Sequence, residues 1–517
     1  MSLGEAAASN ASTAERNRRT PLTRLIKSVY GSGALLDGMA NGALGFLFFY
    51  MTAVRGLSGA LAGLSMVIAL IIDSVADPLI GSLSDGTTSR FGRRHPWMLL
   101  SALPLGLSVG LLFSAPASLD QAALFVWLTL SAIAVRISLS LFTIPHAALA
   151  AELSDGYVER SNVVAYRIAF GALAGVLAPA LALIVFMPTT ADLLHAGGYM
   201  PFAWSCAVVG FVSGVVCTIG TRGTLARLHV AEKKTDHPLL AFLRELGDIL
   251  RHRHFVILFA GSLIYFASQG VAGQLGLHNA KFFWKFSNQT LQFLTTVGAV
   301  GSIAGFPVSA WLQRHFDKHI LLVWTLVITC LASAVTPLLR LADILPAAGP
   351  GLLVPITVLR FLDGAAQVLI GITYYSMTAD TADEHEYLFG ARREGLFFAG
   401  LAFSSKAATA IGSFIAGQAL DLIHFPGAIA AQGPALHIPY RTIVELALIA
   451  GPGSALMMAT PAALVLLIRF KRSDLLRIQE ELSARRKART AGQLPDVVLE
   501  NEGPVEPLRP LPATGAK

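Results

Sequence analysis

Two aspartates, Asp73 and Asp77, stand four residues apart inside the apolar run MVIALIIDSVADPLIGSLSD. An α-helix turns once in about 3.6 residues, so both carboxylates leave the same face of that segment. An ionised carboxylate in hydrocarbon is costly, and two on one face repel. The pair is tenable only if it meets a proton, a metal cation or a basic side chain. The chemistry to expect at Asp73 and Asp77 is therefore reversible binding of a cation. Further ionisable residues lie in other apolar runs: Asp37, Arg136, Arg167, Arg360, Asp363 and Lys406. Intramembrane charges normally face a bundle interior and pair with one another. Arg360 and Asp363, three residues apart, predict a local pair. Arg136 has no partner that the sequence alone identifies.

The elements that must carry these side chains are long apolar helices. The chain has 517 residues, 54% of them hydrophobic and 14% charged, against about 25% charged in soluble proteins. A membrane-spanning helix needs about 20 mostly apolar residues. Twelve segments qualify, at about 29–54, 58–82, 96–115, 121–151, 163–187, 199–221, 254–280, 289–313, 319–339, 350–378, 395–423 and 440–468. The expected fold class is an all-α membrane protein.

An even number of crossings puts both tails on one side, and charge decides which. Thirty of the 39 Lys and Arg residues fall in the tails and in the loops after even-numbered helices. The positive-inside rule then places both termini in the cytoplasm, with the chain multi-pass in the cell (inner) membrane. The formal net charge of +7 is not a nucleic-acid signal, because the basic residues sit in short loops and in the tails. Cys206, Cys217 and Cys330 fall inside apolar segments without metal-ligand spacing and read as small packed residues.

The expected organisation is a tail at 1–28, a six-helix half at 29–221, a basic central loop at 222–253, a second half at 254–470 and a tail at 471–517. The first tail reads as cytoplasmic and uncleaved, since no short apolar core with a cleavage site precedes the first long helix. The central loop ends in RHRHF, which puts His252 and His254 at the membrane surface. The second tail begins with a charged helix and continues into a proline-containing stretch of disordered composition. The two halves echo each other. GSLSDGTTSRFGRRHP (81–96) follows helix 2, and the degenerate copy GFPVSAWLQRHFDKH (305–319) follows helix 8. Two six-helix halves related by an axis along the membrane normal make a major facilitator fold.

The first of these loops resembles the signature of the major facilitator superfamily, carried here by Gly81, Asp85, Arg90, Gly92, Arg93 and Arg94. The order D-x-x-x-D-P-x-x-G at 73–81, then R-x-G-x-x-x-P-W at 90–97, narrows the resemblance. So do IPHAALAAEL (144–153) and ADTADEHEYLFGARREGLFF (379–398). Together they resemble the glycoside–pentoside–hexuronide:cation symporters, the family of the melibiose permease, from Tyr30 to about Arg489. The resemblance implies that Asp73 and Asp77 bind the coupling cation, with the Ser140 hydroxyl as a further ligand. They are metal ligands only if that cation is sodium. It implies solute contacts from Asp37, Arg167 and Lys406, and from Thr143 at the place of a sugar-gripping aspartate. It implies a cytoplasmic latch formed by Gly81, Asp85, Arg90, Arg93 and Arg94 with Arg392 and Arg393 of the loop after helix 10. Gly81 would let a neighbouring helix approach.

The sequence departs from the family at three places. Thr143 replaces the aspartate, Ala147 replaces an aromatic that stacks on sugar, and Ala76 replaces an asparagine beside the cation site. The last removes a neutral oxygen and tilts the expectation from sodium toward a proton. The expected function is symport of a proton or sodium ion with a small organic solute, a sugar or glycoside, by a monomer in the lipid bilayer. A lysolipid or another amphiphile is the alternative cargo. A non-transporting membrane sensor is the alternative of another class, but no output domain is recognisable. No cofactor is expected. No nucleotide-binding G-x-x-x-x-G-K-[ST] and no H-E-x-x-H metal motif is present, so an enzyme is not expected. Gly171, Gly175, Gly301, Gly305, Gly412 and Gly417 mark candidate close helix crossings. Tyr265, Phe266, Phe282, Phe283 and Trp284 suit an outer vestibule or an interfacial belt.

Overall fold

The computed structural model describes residues 22–153, 157–227, 252–389, 394–432, 438–467 and 472–490. Most of the central loop, Arg392, Arg393 and the ends of both tails lie outside the described residues. Among the described residues every regular element is helical, and twelve helices are long and apolar enough to cross a membrane.

The first half comprises α1 (Arg24–Phe49), α2 (Gly59–Gly86), α3 (His95–Leu112), α4 (Gln121–Leu153), α5 (Tyr157–Ala180) and α6 (Tyr199–Gly220). The second comprises α7 (Arg253–Phe282), α8 (Asn288–His315), α9 (Lys318–Leu341), α10 (Pro350–Phe389), α11 (Glu394–Leu422) and α12, which runs Tyr440–Val465 through a π-helical turn. A further helix, α13 (Arg472–Thr490), is polar but buries Ile478 and Leu482. The ends that carry Arg24 and Val465 lie on one face of the bundle, here the termini face; the ends carrying Val54 and Gly59 lie on the opposite face.

Within the first half α1 packs on α5 and α6; within the second α7 packs on α11 and α12. The halves meet where α2 crosses α11 and α5 crosses α8. Glycine sets the first of these crossings. A Cβ on Gly417 would overlap the Gly59 carbonyl oxygen, a backbone atom that cannot yield. Gly301 and Gly412 are equally confined, against the backbones of α10 and α7. Gly171 and Gly175 have nothing within 4 Å where a Cβ would be, so the close α1–α5 crossing rests on Gly38 and Gly42 against Ala174 and Ala178, not on this pair.

The opposite face is closed by contacts between the halves. The Asp421 carboxylate at the end of α11 accepts the amides of Gly59 and Ala60 at 2.7 and 2.8 Å. It thereby satisfies two donors that the start of any helix leaves open, and it complements the helix dipole. Thr52 Oγ1 meets His278 Nε2 at 3.0 Å, and the His278 ring packs on Phe49 and Phe425. Asn288 donates to the carbonyls of Met187 and Thr189. Phe283 and Trp284 are buried with Phe286, Leu294 and Leu352, and Tyr265 packs on Tyr374. They are packing residues of the second half, not an open vestibule or an interfacial belt.

Replacing Gly417 by Val should lower the unfolding temperature and weaken expression, because overpacking costs about 1–3 kcal/mol and the neighbour here is backbone. Gly175→Val, into open space, should leave the melting curve close to that of wild type. Equal effects in thermal unfolding would deny the α2–α11 crossing its role.

Candidate functional site

The site is built by α2, α4 and α11. Asp73 is 2% exposed. The Ser140 hydroxyl of α4 donates to Asp73 Oδ1 at 2.7 Å, and Lys406 Nζ of α11 donates to Asp73 Oδ2 at 2.8 Å. The same ammonium bonds Asp77 Oδ2. Lys406 thus spans both carboxylates of α2 from the other half, 333 residues along the chain from Asp73. Side-chain exposures of 33% for Lys406 and 27% for Asp77 show that the cluster borders accessible space. Asp77 Oδ1 is buried and, among the described residues, has no hydrogen-bond partner. Two carboxylates share one ammonium, which leaves one carboxylate oxygen uncommitted. That arrangement can take a proton, or a cation that displaces the lysine.

A second group adjoins it. Asn41 on α1 donates to Asp37 Oδ1 at 2.7 Å. Arg167 of α5 stands beside Asp37 and the Tyr30 hydroxyl. Arg136 lies one turn before Ser140 on α4 and is within electrostatic reach of Asp73, Asp37 and Asp77. The partner that the sequence left unidentified is therefore this acidic group. Thr143 is half-buried on α4, with no hydrogen bond placed on it. The expected residues of helices 1, 2, 4, 5 and 11, Thr143 apart, fall into two adjoining clusters around Asp73 and Asp37.

The latch residues sit at the termini face. Arg94 pairs with Asp85 and donates to the Ser84 hydroxyl at 2.7 Å. Arg93 and Arg94 both reach Glu152 Oε1 of α4, at 2.6 and 3.0 Å. Arg90 lies over the Phe91 ring, which Arg222 also covers. Glu152 was not among the expected members, although it stands in the run IPHAALAAEL. Gly81 faces only Ile144 Cγ2 at 4.0 Å, ordinary contact distance, so it is not the site of a close helix approach. Arg392 and Arg393 lie outside the described residues. In the second half Lys318 bonds Asp380 at 2.6 Å, and His254 bonds Glu384 at 2.8 Å. The termini-face ion pairs named here each stay within one half. Arg360 meets Asp363 at 3.1 Å, the local pair expected from their spacing.

Residues 29–469 match the family described as MFS/sugar transport protein. The chain belongs to this family. It is 25% identical over 415 residues to a glucuronide carrier protein homolog of Escherichia coli, covering 79% of this chain and 85% of that one. It is 24% identical over 378 residues to an isoprimeverose transporter of Lactiplantibacillus pentosus, covering 73% and 75%. It is 22% identical over 475 residues to sodium-dependent lysophosphatidylcholine symporter 1-A of Danio rerio, covering 84% of each. Among solved structures, the nucleoside transporter NupG superposes with a TM-score of 0.57 at 14% identity, over 86% of this chain and 98% of that one. The chain is a multi-pass transporter of the major facilitator fold, not an enzyme. It resembles the glycoside–pentoside–hexuronide:cation symporters over the twelve-helix body, residues 29–469.

The geometry makes Lys406 the counter-charge of Asp73. Lys406→Ala should destabilise the protein by about 3 kcal/mol, since an unpaired buried charge is left behind. Asp73→Asn in the same chain should recover most of that loss. Denaturation of the two variants in detergent checks this; a double variant no more stable than Lys406→Ala would show that the contact carries no stability.

Proposed function

We propose that this transporter is a cation-driven symporter that moves one proton or sodium ion together with one small organic solute, a sugar or glycoside. The observation that carries the reading is the Lys406 ammonium held by two carboxylates of the other half, at 2.8 Å from Asp73. A cation arriving at Asp77 Oδ1 competes with Lys406 for the same charge. Binding the ion therefore changes a contact between the two halves, which alternating access requires. Arg167 and Asp37, which stand beside each other, and Thr143 are assigned to the solute, with Lys406 shared between solute and ion. The cycle needs no cofactor, and the unit is taken as a monomer.

The sugar reading rests on the relatives named for glucuronide and isoprimeverose. The second reading, a lysolipid cargo, is favoured by the zebrafish relative and by Thr143 and Ala147 at the positions of the family's sugar-binding aspartate and aromatic. Charge distribution supports a bacterial-type inner-membrane orientation with both termini cytoplasmic. On that assignment the opposite face, closed by Asp421 and His278, is the external one, and the Asp85–Arg94 pair belongs to the cytoplasmic side.

Uptake of labelled glycosides into proteoliposomes under an imposed ion gradient tests the function. Asp77→Asn should abolish accumulation against a gradient while sparing exchange, because an amide cannot balance the ion. If the ion is a proton, uptake should follow the pH gradient and ignore sodium replacement. Concentrative uptake that is intact in Asp73→Asn and Asp77→Asn alike would remove the cluster from coupling. Orientation is tested by cysteine labelling at positions 234 and 432, which should react from opposite sides of the membrane.

A further inference from the structure

The carboxylates assigned above to the ion and the solute stand on α1 and α2, in the first half. The second half buries a carboxylate of its own. Asp363 of α10 is 7% exposed, and nothing assigned so far uses it. Its two oxygens are treated unequally. Oδ2 accepts from Arg360 at 3.1 Å and from Gln367 at 3.0 Å. Oδ1 is buried and, among the described residues, has no hydrogen-bond partner. Thr329 of α9 stands beside this carboxylate. It is 1% exposed, and its hydroxyl oxygen is likewise buried without a partner among the described residues.

A buried polar atom left unmet is costly. An ionised carboxylate oxygen can only accept, whereas a protonated one also donates. With a proton on Oδ1 the carboxyl can donate to Thr329 Oγ1, and both atoms are met. A hard metal cation would need a shell of oxygens, and the Arg360 guanidinium already holds this carboxylate. A proton needs one oxygen. The surroundings supply no rival charge. Toward Asp363, α8 presents Gly298 and Ser302, α9 Thr329 and Ser333, and α7 Tyr265 and Gln269. Helices α11 and α13 meet α10 nearer the termini face, through Phe397, Phe398 and Gln479. Among these described groups Arg360 is the charged one and Tyr265 the further titratable one.

Asp363 also borders space that water can fill. It lines a cavity of about 630 Å³ between the halves, which reaches Gly45 on α1. It lines a second of about 150 Å³ between α9 and α10, where Ser333 and Thr336 add hydroxyls. Arg360, with a side chain 50% exposed, lines both. When hydronium in this space gives its proton to Asp363, the carboxylate becomes a neutral carboxyl and Arg360 keeps its charge without a counter-charge.

We infer that Asp363 is a second proton-binding site, carried by the second half and separate from the Asp73–Asp77–Lys406 cluster, and that its loading turns a neutral ion pair on the cavity wall into a lone guanidinium. The site adds to the cation taken at Asp77 and depends neither on the identity of that cation nor on that of the solute.

The test is infrared difference spectroscopy of the full chain in proteoliposomes, acidic minus alkaline buffer, without sodium and without solute. The C=O stretch of a carboxyl that takes a proton should appear in wild type and shift in deuterium oxide. The part of the band due to Asp363 should vanish in Asp363→Asn and persist in the double variant Asp73→Asn, Asp77→Asn. Arg360→Gln should move the midpoint of that part by about one to three pH units upward, because an adjacent cation favours the ionised carboxylate. A merely structural Asp363 gives no band to move. Each variant is first checked for an unfolding temperature near wild type. Asp363→Asn combined with Arg360→Gln, which leaves no unpaired guanidinium, replaces an Asp363→Asn that does not fold. A band unchanged by Asp363→Asn, or a midpoint unmoved by Arg360→Gln, would overturn the site while leaving the Asp73 cluster in place. Loss of the Asp363 band on adding sodium to the Asp73→Asn, Asp77→Asn protein would overturn its assignment to a proton.

Discussion

A carboxylate buried in a low-dielectric bundle must be compensated, and the position of Asp73 organises the molecule around that need. At 2% exposure it cannot keep a full water shell, and leaving it unpaired would cost several kcal/mol. Its two oxygens draw a hydroxyl from α4 and an ammonium from α11. Three helices from both halves are thereby held at one depth. The ammonium is shared: Asp77 bonds it as well, and Asp77 Oδ1 has no hydrogen-bond partner among the described residues.

The Asp73 cluster sits in a bundle whose two ends are fastened differently. At the opposite face the fastenings cross between halves: Asp421 on the amides of α2, Thr52 on His278, Asn288 on the carbonyl of Thr189. At the termini face Arg93 and Arg94 with Glu152, and Lys318 with Asp380, tie helices of the same half. Helix α2 is therefore held to α11 at its first turn and again at Asp73, with the Gly59–Gly417 backbone contact beside the upper tether. Without the lower tether, the Asp421 bonds and the glycine crossing still hold α2 to α11, and a swing of one half against the other is the motion of the fold.

Much of this was legible in the sequence, for physical reasons that differ by residue. Twelve spans follow from apolar length alone, because the bilayer sets the length a helix must have. Asp73 and Asp77 stood out because charge is rare in such runs, and the Arg360–Asp363 contact followed from helical spacing. Lys406 needed the resemblance, since no local pattern links residues 333 apart in sequence. Arg136 was visible as a charge but not as a neighbour of Asp73; its placement depends on how α4 is rotated against α2. Asp421 was not recognised at all. It looks like an ordinary helix-end acid, and its role arises only because the start of α2 lands beside it. Gly81, by contrast, carried a motif expectation that tertiary packing does not use: its nearest neighbour is a side-chain methyl at ordinary distance.

The solute question turns on the same logic of compensation. The family's aspartate and stacking aromatic on helix 4 fall here on Thr143 and Ala147, so that helix offers less to a sugar ring. The polar groups of the second half are richer: Asp363, Gln367 and Gln269 are uncharged in sum with Arg360 and each retains hydrogen-bonding capacity. A ligand hydroxyl that replaces water at these groups recovers what desolvation costs, whereas an apolar cargo would leave their remaining donors and acceptors unmet. The two regions are joined along one face of α1, where Asp37, Asn41 and Gly45 follow at four-residue spacing. Asn41 bonds Asp37 beside the ion cluster, and Gly45 opens onto the cavity. Helix α1 thus runs from the Asp37 group, beside the buried charges, to that cavity.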